Sequence, residues 1–136
     1  MGLARQFASG VAGMIYRPGD DIAEEYHKWY YGTLTQYQNS WLGVTCWKSV
    51  SDMWNYQEIL TELRPTLVVE FGTRFGGSAL YFASVLRQLG RPFRVLSVDI
   101  SHKDVADVVR GDADIELMES SSTVPAVALR CVLCGL

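Results

Sequence analysis

The feature that most constrains this chain is the stretch "LVVEFGTRFGGSAL" at residues 67–80. An apolar run is followed by a carboxylate, then by three glycines within six residues, and then by a second apolar run. With the preceding threonine, the first run reads "TLVVEF" and is apolar on both faces, as buried parallel strands are. The second run belongs to "GSALYFASVLRQLG", whose spacing predicts an amphipathic helix closed by Gly90. The stretch therefore predicts a strand–turn–helix unit.

The residues after this unit repeat its alternation of strand and helix. "FRVLSVDI" reads as a second buried strand ending in Asp99, and "DIELMES" as a third strand. Residues 101–112 between them look like a short charged helix or a loop, and "TVPAVALRCVLCGL" begins a further helix. Strands that alternate with helices predict a parallel sheet with right-handed crossovers. The fold class is therefore α/β.

Two helices are predicted before the sheet. The first covers residues 21–31, with Asp20 or Asp21 as its cap and Gly32 at its end. The second is "SDMWNYQEILTELRP", with Ser51 as a candidate N-cap and a proline that stops it. The residues expected on its apolar face are Met53, Tyr56, Leu60 and Leu63.

Composition limits the classes of partner. The chain has 136 residues, a net charge of −3 and a pI near 5.3, which gives no electrostatic case for nucleic-acid binding. Three cysteines are too few for a disulfide framework, so we expect a reducing, cytoplasmic location. No apolar stretch is long enough to span a membrane. The N-terminal "MGLARQFASGVAGMIY" is mildly amphipathic and suggests at most a weak contact with a membrane surface.

Three kinds of ligand-binding loop compete for the glycine turn. A P-loop would need lysine and a hydroxyl residue where Ser78 and Ala79 stand. A dinucleotide fingerprint would need a glycine in place of Arg74, whose bulk would block a pyrophosphate. The third kind is the S-adenosylmethionine (SAM) loop of class I methyltransferases, whose ligand carries an amino group and a carboxylate but no phosphate.

The residues suit this third interpretation. Glu70 near the strand end suits the amino group, and backbone N–H groups at the helix start suit the carboxylate. Gly72, Gly76 and Gly77 would let the backbone approach the ligand closely. Asp99, at the end of the next strand, would bind ribose hydroxyls. The alternative is that the glycines only form a turn and that both acids cap neighbouring helices.

At the level of whole segments, "WLGVTCWKSVSDMWNYQEILTELRPTLVVEFGTRFGGSALYFA" resembles the cephalosporin-hydroxylase-like family of class I SAM-dependent methyltransferases. "YRPGDDIAEEYHKWYYG", "CWKSVSDMWNYQEIL" and "ESSST" are similar to the mycobacterial rhamnosyl O-methyltransferases of phenolic glycolipid biosynthesis. The resemblance covers about residues 14–125. It implies a Rossmann-like SAM-methyltransferase sheet preceded by N-terminal helices. We divide the chain into a helical and aromatic segment, residues 1–50, and a partial SAM-binding domain, residues 51–136.

The activity that this resemblance implies is methyl transfer from SAM to a rhamnosyl hydroxyl of a phenolic glycolipid or related precursor. A glycolipid or phenolic glycoside would then be the substrate. The cofactor-binding positions that it implies are Glu70, Gly72, Thr73, Gly76, Gly77, Ser78, Asp99, Ser120 and Ser121.

The departure from the family lies at the C-terminal end. Relatives continue into a fourth strand with an L-D-x-D-H-type segment that carries metal ligands, whereas this chain stops in the helix after the third strand. We therefore expect only the first half of the sheet, about three parallel strands, without the magnesium ligands of the full-length family and without an identified catalytic residue. The first strand would be an exposed edge, which favours pairing with another copy. The alternative function is an inactive remnant that serves at most as a cofactor-binding or interaction module.

Other polar residues carry two interpretations each. Glu24 and His27 could share a metal or lie on a solvated helix face. His102 could be a general base near the acceptor or a loop histidine without function. Cys131 and Cys134 are read as helix-core or frame-shifted residues. A dense aromatic set could pack the core or form a platform for a sugar or phenol ring. Its members are Trp29, Tyr30, Tyr31, Trp41, Trp47 and Trp54.

Overall fold

A computed structural model describes residues 21–134, in two units that meet between Thr35 and Gln36. The described part of the first unit is helix α1 (Ile22–Gly32), which confirms the predicted helix. Asp21 occupies the N-cap position, as one of the two predicted caps, but it has a helical conformation and its side chain makes no cap hydrogen bond. Asp20 lies outside the described residues. The predicted boundary between an N-terminal segment, residues 1–50, and a SAM-binding domain, residues 51–136, stays a prediction.

The second unit contains a small hairpin and a three-stranded sheet with helices. Its elements in chain order are β1 (Ser40–Trp41), β2 (Val44–Thr45), α2 (Val50–Leu63), β3 (Leu67–Phe71), α3 (Gly77–Gln88), β4 (Arg94–Asp99), α4 (Asp107–Arg110), β5 (Ile115–Glu119) and α5 (Pro125–Cys134). A short 3₁₀ helix, Thr35–Gln38, spans the position in the sequence where the chain is divided into the two units. Strands β1 and β2 pair antiparallel, and β3, β4 and β5 pair parallel in that order. The predicted α/β class and three parallel strands are confirmed.

The central strand β4 separates two cores. Val95 faces the cluster built around α3, whereas Leu96 and Val98 pack with Val127 of α5. All three β4 residues are at most 2% exposed, because helices cover both faces of the strand. Alternation along the strand places Ser97 on the same face as Val95, beneath the glycine turn.

Strand β3 is less buried than its apolar sequence suggested. It has β4 as its only neighbour within the described residues, so one side of its backbone has no strand beside it. Val68 and Val69 are only half-buried, Phe71 is 58% exposed, and Glu70 is the one buried residue of the strand. The predicted exposed parallel edge is therefore present.

Helix α2 begins two residues earlier than the predicted cap implies. Ser49, in extended conformation, is the N-cap, and its hydroxyl accepts a hydrogen bond from the Asp52 N–H at 3.1 Å. Ser51 lies inside the helix, so the predicted cap is wrong. Leu60 is buried, but Leu63 is 70% exposed and does not belong to the apolar face. No helix in the described part of the chain is long and apolar enough to cross a membrane.

Candidate functional site

The candidate site lies at the carboxyl edge of the parallel sheet, beside the loop that joins β3 to α3. A cavity of about 190 Å³ opens there between this loop and the segment that follows β2. Its walls are Thr45, Cys46, Trp47, Lys48, Gly72, Thr73, Arg74, Phe75, Gly77 and Ser78. In open α/β sheets, the strand ends on this side are where ligands bind.

The loop turns sharply because several residues adopt left-handed backbone angles. Gly72 has φ +91°, Gly76 has φ +86°, and Arg74 has φ +46°. The cost of that conformation at Arg74 is offset by contacts of its side chain. Its guanidinium donates to Asp104 at 2.8 Å and lies 4.8 Å from the centre of the Phe75 ring. Arg74 is thus a structural part of the loop.

The three glycines of the loop are required for different reasons. A Cβ on Gly77 would lie 2.3 Å from the Thr45 carbonyl oxygen, and one on Gly76 would lie 2.8 Å from a Val109 methyl group. Both positions are therefore filled by the protein's own hairpin and α4. A Cβ on Gly72 would meet nothing within 4 Å. Gly72 is the position where open space lies next to the backbone.

Asp99, at the end of β4, ties the loop to the sheet. Its Oδ2 accepts from the N–H groups of Thr73 at 2.7 Å and Arg74 at 3.0 Å, and its Oδ1 accepts from the Ile100 N–H at 2.7 Å. These hydrogen bonds, that of Arg74 foremost, lower the pKa of the Asp99 carboxyl below its ordinary 3.8. Asp99 is thus an ionised acceptor that holds the loop, and its predicted contact with ribose stays a prediction.

Glu70 is buried behind the loop. Its Oε2 accepts from the Ser78 hydroxyl at 2.7 Å, and its Oε1 accepts from the Ser97 hydroxyl at 2.5 Å. Burial raises the pKa of the Glu70 carboxyl above 4.5, while the hydrogen bonds from Ser97 and Ser78 and the charge of Lys48 oppose that rise. The carboxylate therefore joins β3, β4 and α3, and binding of an amino group by Glu70 stays a prediction.

Two polar residues of this site were missed or left undecided by the sequence. Ser97 is 0% exposed, and its hydroxyl lies 2.7 Å from the Thr73 hydroxyl. A lone serine in the apolar strand "RVLSVD" was the available signal, since a buried hydroxyl needs a partner. His102 is 6% exposed, and its Nε2 lies 3.2 Å from the Thr73 hydroxyl. It is a buried member of the network.

The start of α3 offers donors to the cavity. Its N-cap, Gly76, has no side chain to accept a hydrogen bond. The N–H groups of a helix's first turn have no partner within the helix, and the helix dipole adds partial positive charge there. Gly77 and Ser78 of this turn line the cavity. This end of the cavity suits a carboxylate.

The remaining predicted residues fall into two places. Ser120 and Ser121 follow β5 at the same edge, where the Ser120 N–H donates to the Asp99 carbonyl oxygen at 2.8 Å. All the predicted cofactor positions therefore lie along one edge of the sheet. Glu24, by contrast, lies on α1 in an ion pair with Lys28. Within residues 21–134 no group of three or more His, Cys, Asp or Glu side chains could hold a metal ion.

Comparison with known proteins gives two kinds of relative. Over 128 residues the chain is 59% identical to a rhamnosyl O-methyltransferase of Mycobacterium tuberculosis (strain ATCC 25618 / H37Rv), covering 94% of this chain and 52% of that protein. Over 124 residues it is 64% identical to a rhamnosyl O-methyltransferase of Mycobacterium leprae (strain TN), covering 91% and 54%. The chain spans about half the length of the curated relatives it matches.

Solved structures and a family profile agree with these relatives. A CmcI structure whose name gives Mg and SAM matches with a TM-score of 0.63 at 22% identity, over 68% of this chain and 40% of that one. A second, whose name gives SAH, matches with a TM-score of 0.58 at 25% identity, over 61% and 43%. These likenesses confirm the methyltransferase type of sheet. The profile described as Rhamnosyl O-methyltransferase/CmcI matches residues 33–132. The chain therefore belongs to the rhamnosyl O-methyltransferase/CmcI family.

Proposed function

We propose that this chain supplies the SAM-binding part of an O-methyltransferase that acts on a rhamnosyl hydroxyl. One observation carries the proposal: 59% and 64% identity to proteins named rhamnosyl O-methyltransferase, over more than nine-tenths of this chain. Matches of that length include the whole strand-edge site. Because the chain spans about half of those relatives, activity, substrate and cofactor are inferred for it from them.

The residues at the edge suit SAM by their chemistry. The first-turn N–H groups of α3 suit the cofactor's carboxylate. Three acidic residues at the carboxyl ends of adjacent strands, Glu70, Asp99 and Glu119, favour a ligand that carries an ammonium and a sulfonium. When bound, SAM supplies the activated methyl group, and the protein's part is to position it.

The methyl acceptor in this proposal is a glycosylated molecule, and more specifically a phenolic glycolipid or phenolic glycoside. The relatives' name specifies the rhamnosyl group. Magnesium belongs to the name of one CmcI structure. Within the described part of this chain, no group of three or more His, Cys, Asp or Glu side chains could hold a metal ion. The cytoplasmic location, the weak membrane-surface contact and self-association through β3 remain part of this proposal.

Calorimetric titration of the chain with SAM and with S-adenosylhomocysteine tests the binding step. We expect saturable binding of both, and no binding of ATP or NADH at the same concentrations, because the loop lacks the P-loop lysine and the second dinucleotide glycine. Absence of SAM binding by a folded chain would overturn the proposal. A labelled-methyl assay with a phenyl rhamnoside acceptor then tests transfer.

A second function, a cofactor-binding or interaction module without turnover, is favoured by the edge of β3. Phe71 is 58% exposed there, and a further cavity of about 320 Å³ runs along Val68, Val69 and Phe71. An edge with free backbone groups can pair with another strand. SAM binding without methyl transfer to the rhamnoside would favour this module over the enzyme.

A further inference from the structure

Four buried polar side chains form one hydrogen-bonded chain beneath the glycine loop. The His102 Nε2 lies 3.2 Å from the Thr73 Oγ1, which lies 2.7 Å from the Ser97 Oγ, which lies 2.5 Å from the Glu70 Oε1. Their exposed fractions are 6%, 2%, 0% and 8% in the same order. Groups buried to this degree depend on one another for hydrogen bonds.

The donors and acceptors of this chain can be assigned by counting hydrogens. Above its raised pKa the Glu70 carboxylate is ionised and only accepts, so Ser97 then donates to Glu70. A hydroxyl has one hydrogen, so Ser97 must accept from Thr73 at their contact. The hydrogen of Thr73 is then used, and Thr73 must accept from the ring of His102. With Glu70 ionised, each step leaves one assignment only.

We propose that His102 is a positioning residue whose Nε2–H donates to Thr73. This hydrogen bond makes every hydroxyl between His102 and Glu70 donate toward Glu70. The Thr73 side chain is then held on the sheet while its backbone N–H donates to Asp99 at 2.7 Å. Thr73 follows Gly72 in the wall of the cavity. His102 thereby sets the position of the loop at the point where the backbone is open to a ligand.

The main chain of His102 is itself anchored on the two elements that follow it. Its N–H donates to Glu119 of β5 at 3.3 Å, and its carbonyl oxygen accepts from the Arg110 guanidinium of α4 and from the Val105 N–H. His102 therefore links β5 and α4 to the loop after β3 by direct hydrogen bonds. This arrangement does not fit a loop histidine without a structural role.

Nitrogen NMR of the whole chain tests the assignment directly. The protein has two histidines, and His27 is exposed on α1, so it serves as an internal reference. In a sample at mildly alkaline pH, we expect His102 to carry its proton on Nε2 and to show a solvent-protected Nε2–H signal. Thr73→Val should remove that protection and leave His27 unchanged. A bare Nε2 on His102 in the wild-type chain would overturn the proposal.

Matched variants test the positioning role. His102→Gln keeps an N–H donor of similar reach, whereas His102→Leu keeps bulk but loses the donor. We expect His102→Leu to raise the unfolding equilibrium constant about fivefold over His102→Gln, the worth of one net hydrogen bond. Thr73→Ser, which keeps the hydroxyl, should be more stable than Thr73→Val, which keeps the volume of the side chain but loses the hydroxyl. Equal stability of the Gln and Leu variants would refute the role.

The ligand arm of this test rests on the proposed function. SAM should bind His102→Gln as it binds the wild type, and should bind His102→Leu at least about fivefold more weakly. Equal affinity of the two variants would refute control of the loop by His102. Failure of SAM to bind the wild type would refute the proposed function instead, while the NMR and unfolding comparisons would still decide the assignment of His102.

Discussion

Gly77→Ala is the substitution whose cost the structure defines best. The new Cβ would lie 2.3 Å from the Thr45 carbonyl oxygen and 2.7 Å from the Cys46 Cβ. Neither neighbour is the end of a flexible side chain, so the hairpin or α3 must move. Overpacking of this kind costs about 3 kcal/mol. Alanine's better helix propensity returns at most about 1 kcal/mol. We therefore expect a net loss of at least about 2 kcal/mol.

Thermal unfolding without any ligand measures this loss. At about 4 °C per kcal/mol for a domain of this size, the midpoint should fall by about 8 °C or more. Gly111→Ala is the matched control, because its Cβ would make an ordinary contact at 3.5 Å with the Asp107 carbonyl oxygen. The control should stay within about 0.5 kcal/mol of the wild type. Equal midpoints for the two variants would refute the argument that the hairpin, rather than a ligand, requires Gly77.

Three further predictions concern the same site. Gly76→Ala and Gly90→Ala both place alanine at a left-handed backbone position. Only the Cβ at position 76 would also clash with a neighbour, a Val109 methyl group at 2.8 Å. Urea unfolding should therefore show Gly76→Ala to be about 1 kcal/mol less stable than Gly90→Ala. Asp99→Asn should cost about 1–3 kcal/mol at neutral pH, because one oxygen cannot serve three N–H donors. That cost should shrink as pH falls below 3.8 through the lowered pKa of the folded Asp99, and a cost that persists in acid would contradict it. The pKa of Glu70 is raised in the folded state, so as pH rises the unfolded state loses its proton first. The stability of the wild type relative to Glu70→Gln should therefore fall as pH rises from 4.5 through the raised pKa, as measured by urea unfolding. A gain in the relative stability of the wild type over that window would contradict this.

The sheet and its turn were predictable because their signals are local. The apolar runs of β3 and β4, the acids at their ends and the glycines between strand and helix all stand within 33 residues of sequence, from residue 67 to residue 99. The predicted cap of α2, Ser51, is two residues later than the observed one. Ser49 became the cap because the helix includes Val50, a boundary that local sequence does not define sharply.

The parts that were not predicted depend on distant contacts. The hairpin of β1 and β2 has strands of two residues, with Leu42 and Gly43 at positive φ in the turn. Strands this short contain no repeat of apolar and polar residues from which they could be predicted. The need for Gly77 arises from Thr45, 32 positions earlier. The partnership of Glu70 and Ser97 follows from the register of β3 and β4, which the sequence of neither strand contains.

The most direct test of the account is a SAM titration of the ¹⁵N-labelled chain followed by backbone amide shifts. We expect saturable shifts that are largest for residues 72–78 and for the ends of β4 and β5, near residues 99–102 and 119–121. Gly111, which lies between α4 and the amino end of β5 and does not line the cavity, should change little. An absence of saturable shifts in a folded chain, or shifts confined to other surfaces, would contradict the claim that this strand edge holds the cofactor.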